Sequence, residues 1–160
     1  MLKKLISIML LLLVGVVMVS ATGQQESGEA KKIVLKAADD HELSYPTTQG
    51  LVKMGELLNQ WTNGRITVEV YPSAQLGSEK ETIEQTQFGA IDINRVNINP
   101  VTQISPAYKV FALPYIFRDE DHMHKVVDGE IGVELGKTLE EHGLICLGYY
   151  DSGQRSFYNS

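Results

Sequence analysis

Few residues of this sequence have the types and spacing that a catalytic or metal site requires. His122 and His124 lie two positions apart in the segment EDHMHK. On a helix that spacing points two side chains about 200° apart, so we interpret them as surface histidines. The adjacent acids Asp39 and Asp40 are predicted to be solvated charges. The sequence also lacks a glycine-rich phosphate loop, a zinc-type cysteine pairing and a serine elbow. We therefore predict no catalytic residue, no metal ligand and no cofactor.

The single cysteine, Cys146, lies in the apolar segment LICLGYY. One cysteine cannot form an intrachain disulfide, and a thiol in such a segment is more typical of a buried strand than of a nucleophile. Stability is therefore expected to come from the packed core.

The first 21 residues have the parts of a secretory signal peptide. A basic start precedes a 15-residue apolar run from Leu5 to Val19, and small residues end it at Ala21. The alternative is a membrane anchor, but a bilayer core needs about 20 apolar residues, and no basic stop-transfer cluster follows. We predict cleavage after Ala21, a flexible polar linker over residues 22–32 and a product that is free in the periplasm or outside the cell, with the periplasm favoured.

The charge balance argues against a nucleic-acid or anionic-membrane partner. The formal net charge is −6, and loss of Lys3 and Lys4 with the signal peptide takes it to −8. That average field repels polyanions, so an anionic ligand would need local arginines. The remaining length is enough for one domain with its own core, which we expect to be monomeric.

Strand and helix patterns alternate from Ile33 onward. The segments IVLKAA, RITVEVYP and AIDINRVNIN predict three strands. Pro46 begins a first helix that Gly64 closes, and Ser78 with Glu81 predicts a capping box for a second. The apolar positions of the first helix are Leu51, Met54, Leu58 and Trp61.

The second half of the chain has weaker signals. The segment SPAYKVFALPYIF carries two prolines and predicts a buried connection. Two helices are predicted next, one over residues 119–127 and one through Ile131, Leu135 and Leu139 that stops at Gly143. LICLGYY and GQRSFYNS are predicted to be strands.

Strand, helix, strand, helix, strand is the pattern of an α/β domain with a largely parallel sheet flanked by helices. In such sheets ligands bind beyond the carboxyl ends of the strands, which here carry the segments DDHE, YPSAQLG and NRVN. The helix from about Glu79 to Phe88 has only a thin apolar stripe. We interpret its polar surface as one that faces a ligand cleft.

Three separated segments carry a resemblance to a known family. They are TNGRITVEVYPSAQLGSEKETIEQTQFGAID, FALPYIFRDEDHMHKVVDGEIG and GQRSFYNS. Together they resemble the solute-binding protein of tripartite ATP-independent periplasmic (TRAP) transporters. The resemblance implies a periplasmic binding protein of about twice this length, in which two α/β lobes close on an organic acid. Residues 33–160 would form the first lobe and the start of the crossover, truncated before the second lobe is complete.

The resemblance also implies a binding site. The family holds the ligand carboxylate with an arginine that follows a Gly-x-Arg pattern, and the segment GQR at 153–155 matches it. A guanidinium suits this role because its planar fork gives a carboxylate two parallel hydrogen bonds; without the resemblance, Arg155 would be interpreted as a surface charge. By position in the family's lobe, the resemblance implies further ligand contacts from Asp40 or His41, Glu79 and Asn97. Arg95 is a weaker candidate, because strand alternation need not point its side chain at the cleft.

The resemblance favours one class of ligand. The segments ADDHELSYPT and INRVNINP resemble members that take sugar acids, especially hexuronates, more than those for C4-dicarboxylates or sialic acid. The implied partners are therefore a small-molecule carboxylate and a TRAP-type membrane permease. The alternative is an exported α/β enzyme that acts on sugar acids, which the absence of a nucleophile–base pair in the sequence disfavours.

Overall fold

The computed structural model describes residues 31–151 and residue 153. The predicted signal peptide, almost all of the predicted linker and the segment with Arg155 lie outside the described residues. Between residues 31 and 151 no helix is both long and apolar enough to cross a bilayer. The elements in chain order are β1 Ile33–Asp39, α1 Pro46–Trp61, β2 Ile66–Tyr71, α2 Glu79–Gln87, β3 Ile93–Arg95, α3 Ile98–Val101, a 3-10 helix Pro106–Ala112, α4 Glu120–Val127, α5 Glu130–Lys137 and a 3-10 helix Glu140–His142.

The three strands form one parallel sheet in the order β2-β1-β3. The register pairs Ile33 of β1 with Ile66 of β2, and Asp39 of β1 with Arg95 of β3. Parallel strands joined by helices confirm the predicted α/β class. Because Asp39 and Arg95 each end their strand, both lie at the carboxyl edge of the sheet.

The two crossover helices lie on opposite faces of the sheet. The chain moves from β1 to β2 on one side and then returns past β1 to β3, so right-handed crossovers place α1 and α2 on opposite faces. On α1, Gly55 is buried, and a Cβ added there would lie 2.9 Å from the Cβ of Val68 in β2. The missing side chain therefore permits close packing of α1 on the sheet.

The first helix begins at Pro46 as predicted, and Gly64 closes it by donating its N–H to the carbonyl of Asn59 at 2.8 Å. Trp61, predicted to continue the apolar face, is instead 73% exposed. The reason is geometric, since position 61 lies roughly a quarter-turn from the centre of the buried face. That face consists of Thr47, Thr48, Leu51 and Gly55.

The second helix starts with the predicted capping box. The Ser78 side chain accepts from the Glu81 N–H, and the Glu81 carboxylate accepts from the Ser78 N–H. Only Thr82 and Ile83 of this helix are buried, while Phe88, just after it, is exposed. The thin apolar stripe is therefore present as predicted.

The third strand is shorter than predicted. Only Ile93–Arg95 pairs with β1, and the chain turns into α3 directly afterwards. Asn97 is the N-cap residue of α3 rather than the end of a strand. Pro100 lies in the first turn of α3, where its missing N–H removes no helical hydrogen bond.

The second half of the described chain packs around an apolar cluster. Its buried members are Val101, Tyr108 and Leu139. The predicted buried connection is a seven-residue 3-10 helix followed by a loop; Tyr108 is buried, but Leu113 and Tyr115 are exposed. The last predicted helix ends at Lys137, and Gly143, with φ of 75°, closes the next turn.

The strand predicted for LICLGYY is absent from the described structure. Residues 144–150 have no regular secondary structure, because a strand requires a hydrogen-bonded neighbour and the described sheet ends at β2 and β3. The segment is a continuous apolar run, and some of its residues pack against the rest of the protein. Leu144, Cys146 and Tyr149 pack against the apolar cluster, while Ile145 and Leu147 are exposed. Cys146 is consequently half-buried and does not lie in a strand.

Candidate functional site

A group of charged and polar side chains gathers at the carboxyl ends of β1 and β3. In the sheet order β2-β1-β3, the connection from β1 runs to β2 on one side, and the next connection returns to β3 on the other side of β1. The gap between β1 and β3 is therefore the switch point of the sheet. Open α/β sheets bind ligands in the crevice at such a switch point. Asp39 and Arg95 are paired in register across it.

Arg95 is the centre of the site. Its Nη1 donates to Oδ1 of Asp40 at 3.0 Å and lies 2.9 Å from Nδ1 of His41. The same atom is 3.7 Å from Oδ1 of Asp39 and 3.9 Å from Oε1 of Glu79. The Arg95 side chain is only 6% exposed. Strand alternation therefore does point Arg95 into the group, where one buried guanidinium contacts three carboxylates.

Asp39 is buried and fully engaged, which corrects the prediction that the Asp39–Asp40 pair is solvated. Its Oδ1 accepts from the backbone N–H of His41 at 3.0 Å, and its Oδ2 accepts from the Thr48 hydroxyl at 2.8 Å. The Asp39 side chain has no exposed surface, whereas that of Asp40 is 31% exposed. The carboxylate of Asp39 thus fixes the loop after β1 to the start of α1.

His41 is held between charged groups and an aromatic ring. Its Nδ1 lies 3.1 Å from Oδ1 of Asp39 and 2.7 Å from Oδ1 of Asp40. A protonated Nδ1 donates to these carboxylates, and an unprotonated one accepts from Arg95, so Nδ1 has a partner in either tautomer. The imidazole stacks on Tyr45 with ring centroids 4.1 Å apart. The ring plane of His41 is therefore fixed on two sides.

Glu79 and Asn97 connect the third strand to α2. Oε1 of Glu79 accepts from the backbone N–H of Asn97 at 2.5 Å. Glu79 is the first residue of α2, where the helix dipole stabilises a negative charge. The capping box at Ser78 and Glu81 starts the helix at this residue, so a local sequence signal positions a carboxylate at the switch point.

The loop between β2 and α2 is fastened to the same edge. Ser73 donates its N–H to the carbonyl of His41 at 2.7 Å, and Ala74 donates to that of Asp39 at 3.2 Å. Both residues have φ near 55°, a left-handed conformation that is unfavourable for non-glycine residues. The surrounding contacts maintain this backbone and lock two loops together.

A metal ion would have to compete with Arg95. Asp39, Asp40 and His41 offer ligand atoms that all lie within 4.8 Å of one another. The guanidinium Nη1, however, already lies close to all three. It supplies the positive charge that a cation would bring. A second group, Glu120, His124 and Asp151, is exposed, where solvated charge explains it.

Five of the six predicted site residues meet at one edge of the sheet. They are Asp40, His41, Glu79, Arg95 and Asn97. Arg155 lies outside the described residues. Sequence reasoning missed Asp39, Thr48 and Tyr45. Thr48 faces the sheet in the first turn of a helix that follows the acidic loop, a signal that could have indicated its bond to Asp39.

Comparison with known proteins identifies the class. Residues 37–160 match the model of the bacterial extracellular solute-binding protein family 7, and the chain belongs to this family. The C4-dicarboxylate-binding periplasmic protein DctP of Rhodobacter capsulatus is 37% identical over 125 residues, which are 78% of this chain and 38% of that protein. The chain spans about two fifths of the length of the curated relatives it matches.

Solved structures agree with this assignment. A TRAP periplasmic solute-binding protein from Citrobacter koseri with bound D-glucuronate is 50% identical with a TM-score of 0.71, over 75% of this chain and 41% of that one. A TRAP solute-binding protein from Xanthobacter autotrophicus with bound β-D-galacturonate is 44% identical with a TM-score of 0.72, over 74% of this chain and 40% of that one. The resemblance to TRAP solute-binding proteins is therefore confirmed.

Proposed function

We propose that the protein containing this chain captures an organic acid outside the cytoplasm and delivers it to a TRAP-type membrane permease. The favoured ligand is a sugar acid such as a hexuronate, followed by a C4-dicarboxylate. The observation that carries the proposal is the gathering of Asp40, His41, Glu79 and Arg95 at the switch point of a parallel sheet. Membership of a solute-binding family and likeness to two uronate-bound proteins support it.

In this proposal the ligand has two kinds of partner. Arg155, by resemblance, binds the carboxylate through two parallel charge-assisted hydrogen bonds. Asp40, His41, Glu79 and Asn97 contact the hydroxyl groups. Arg95 already contacts the acids around it, so we assign it to positioning them rather than to the ligand carboxylate.

The proposal includes the setting of the protein. Residues 1–21 act as a cleavable signal peptide and residues 22–32 as a linker, so that the mature protein works in the periplasm. Residues 33–160 form the first lobe and the start of the crossover to a second lobe, which supplies the remaining ligand contacts. The protein acts as a monomer, binds no nucleic acid and catalyses no reaction, in keeping with a family of binding proteins.

A thermal-shift screen of the complete protein that contains this chain tests the proposal. Uronates, aldonates, C4-dicarboxylates and keto acids are the probes. A ligand at a hundred times its Kd should add about 2.7 kcal/mol of stability. Stabilisation by neutral sugars or amino acids, without any effect of carboxylates, would contradict the organic-acid assignment.

The role of Arg155 is tested by calorimetric titration with the best ligand from that screen. Arg155→Ala should weaken binding by about 2–5 kcal/mol, the range for removing one partner of a buried charge pair. Arg155→Lys should recover little, because an ammonium cannot form two parallel bonds. Arg118→Ala, at an exposed arginine, is the control. If Arg155→Ala binds as tightly as the parent protein, the carboxylate is held elsewhere.

A further inference from the structure

Two carboxylate oxygens of the site are left for a ligand. Oδ1 of Asp40 contacts Arg95 and His41, and Oε1 of Glu79 accepts from Asn97. The second oxygen of each carboxylate makes no hydrogen bond among residues 31–151. Both side chains are partly exposed, Asp40 by 31% and Glu79 by 17%. The site therefore presents hydrogen-bond acceptors whose partners must come from outside it.

The same site carries excess negative charge. The carboxylates of Asp39, Asp40 and Glu79 surround the single guanidinium of Arg95. With neutral His41 the group has a net charge of about −2, because one cation offsets only one of three acids. Arg95 offsets part of the repulsion among these three carboxylates. It does not cancel the negative charge that a bound ligand would face.

We propose that this acid group selects ligands with a single carboxylate and fixes their orientation, an inference that rests on the proposed function. The hydroxyl-bearing end of the ligand points at Asp40 and Glu79, and its carboxylate points away from them. A hydroxyl can donate to the two unused oxygens. A carboxylate has no proton to donate at neutral pH and is repelled, and like charges placed together at a binding surface suppress the wrong partner.

A matched pair of ligands isolates this effect. D-Gluconate and D-glucarate share six carbons and the same four internal hydroxyl groups, but gluconate ends in a primary alcohol where glucarate ends in a second carboxylate. D-Glucuronate is a third probe with one carboxylate. Calorimetric titration of the complete protein should give a Kd for glucarate about 100-fold above that of gluconate, and glucuronate shows whether the complete protein binds a cyclic monocarboxylate.

Two substitutions should remove the selection. Asp40→Asn and Glu79→Gln keep the shape of the side chain but remove one negative charge, and each should narrow the glucarate-to-monocarboxylate ratio about tenfold. Glu84→Gln is the control, because it makes the same change at an exposed position of the same helix and should leave the ratio unaltered. Unfolding transitions show which variants fold. If Asp40→Asn does not fold, Glu79→Gln alone tests the inference. Glu79 lies 3.9 Å from Arg95, whereas Asp40 lies 3.0 Å from it, so Glu79→Gln should disturb the fold less.

The outcomes separate this inference from the proposed function. If a monocarboxylate binds and the folded variants keep the parent ratio, the acid group does not select, although the protein still binds organic acids. Equal or tighter binding of glucarate by the parent protein overturns the selection in the same way. Absence of binding to every organic acid overturns the proposed function, and this inference with it.

Discussion

The switch point of the sheet and the apolar cluster of the second half both place polar groups in buried surroundings, but they do so differently. At the switch point, Arg95 is surrounded by three carboxylates. In the apolar cluster, the hydroxyls of Tyr108 and Tyr149 lie 3.0 Å apart, and Tyr149 also donates to the carbonyl of Gly132 at 2.8 Å. One region contains charges in excess, whereas the other contains a neutral pair.

The difference supports the proposal that the ligand site lies at the switch point. The tyrosine hydroxyls use one another and a nearby carbonyl, so the pair serves packing between the 3-10 helix, α5 and the segment after it. At the switch point, Asp40 and Glu79 are partly exposed, and each has one carboxylate oxygen that makes no hydrogen bond among residues 31–151. A buried charge group is costly to assemble, and retaining one with free acceptors is consistent with a binding role rather than a stabilising one.

The largest effect is expected at the centre of the charged region. Arg95→Leu should lower the free energy of unfolding by about 3–5 kcal/mol, because it leaves buried carboxylates without their cation. Urea denaturation of the complete protein measures this change. Arg118→Leu, at an exposed arginine, should change stability by less than about 0.5 kcal/mol. If both variants behave alike, Arg95 does not hold the acid group together and the comparison between the two regions fails.

Local signals in the sequence predicted the elements around the charged region well. Pro46, Gly64 and the pair Ser78 and Glu81 mark helix ends by backbone chemistry that needs no distant partner. They correctly bounded two helices, and the position of strand ends indicated where polar side chains would meet. The site residues themselves were named from the family resemblance, and five of the six lie together at this edge of the sheet.

Features that depend on distant partners were not predicted. The burial of Asp39 requires Thr48 in the next helix and Arg95 in the third strand, and no local pattern encodes both. The segment 144–150 was predicted to be a strand from its run of apolar residues, which also fits an extended chain packed on one side. Such a segment forms a strand only if a neighbouring strand is available for hydrogen bonding. The residues of the segment do not determine whether that neighbour is present.

Tyr149→Phe tests the hydroxyl pair of Tyr108 and Tyr149. Its expected effect on the free energy of unfolding is smaller than that of Arg95→Leu. Loss of the hydroxyl removes its hydrogen bonds to the Tyr108 hydroxyl and to the Gly132 carbonyl, so the free energy of unfolding at pH 7 should fall by about 1–3 kcal/mol. Tyr150→Phe, at a tyrosine that is 53% exposed and outside this pair, is the control. An unchanged unfolding midpoint for Tyr149→Phe would show that the hydroxyl pair contributes nothing to packing.

Alkaline pH gives the same pair a second test. Burial raises the pKa of Tyr108 to about 12, and burial with the hydrogen bond to Tyr108 raises the pKa of Tyr149. Because both folded-state pKa values exceed the ordinary value of 10.0, their contribution to stability is complete below pH 10 and is lost as pH rises from about 10 through 12. Tyr149→Phe removes one of the two groups, so its stability should decline less steeply than that of the parent protein between pH 9 and 12. An equally steep decline in both would assign the alkaline loss to other groups.

The smallest effect concerns the helix start that carries Glu79 into the charged region. Ser78→Ala removes the side-chain acceptor of the capping box and should lower the free energy of unfolding by about 1 kcal/mol, a typical cost for losing an N-cap. The backbone N–H of Ser78 still donates to Glu81 at 2.8 Å, which limits the loss. Ser78→Thr should restore most of it, because threonine is also a good N-cap and keeps the hydroxyl that accepts from the Glu81 N–H and donates to the Glu81 carboxylate. Thermal unfolding ranks the three proteins, and the affinity for the best ligand should change little, since Glu79 keeps its bond to Asn97. A loss of binding much larger than the loss of stability would mean that the cap, and not the contact with Asn97, places Glu79 at the switch point.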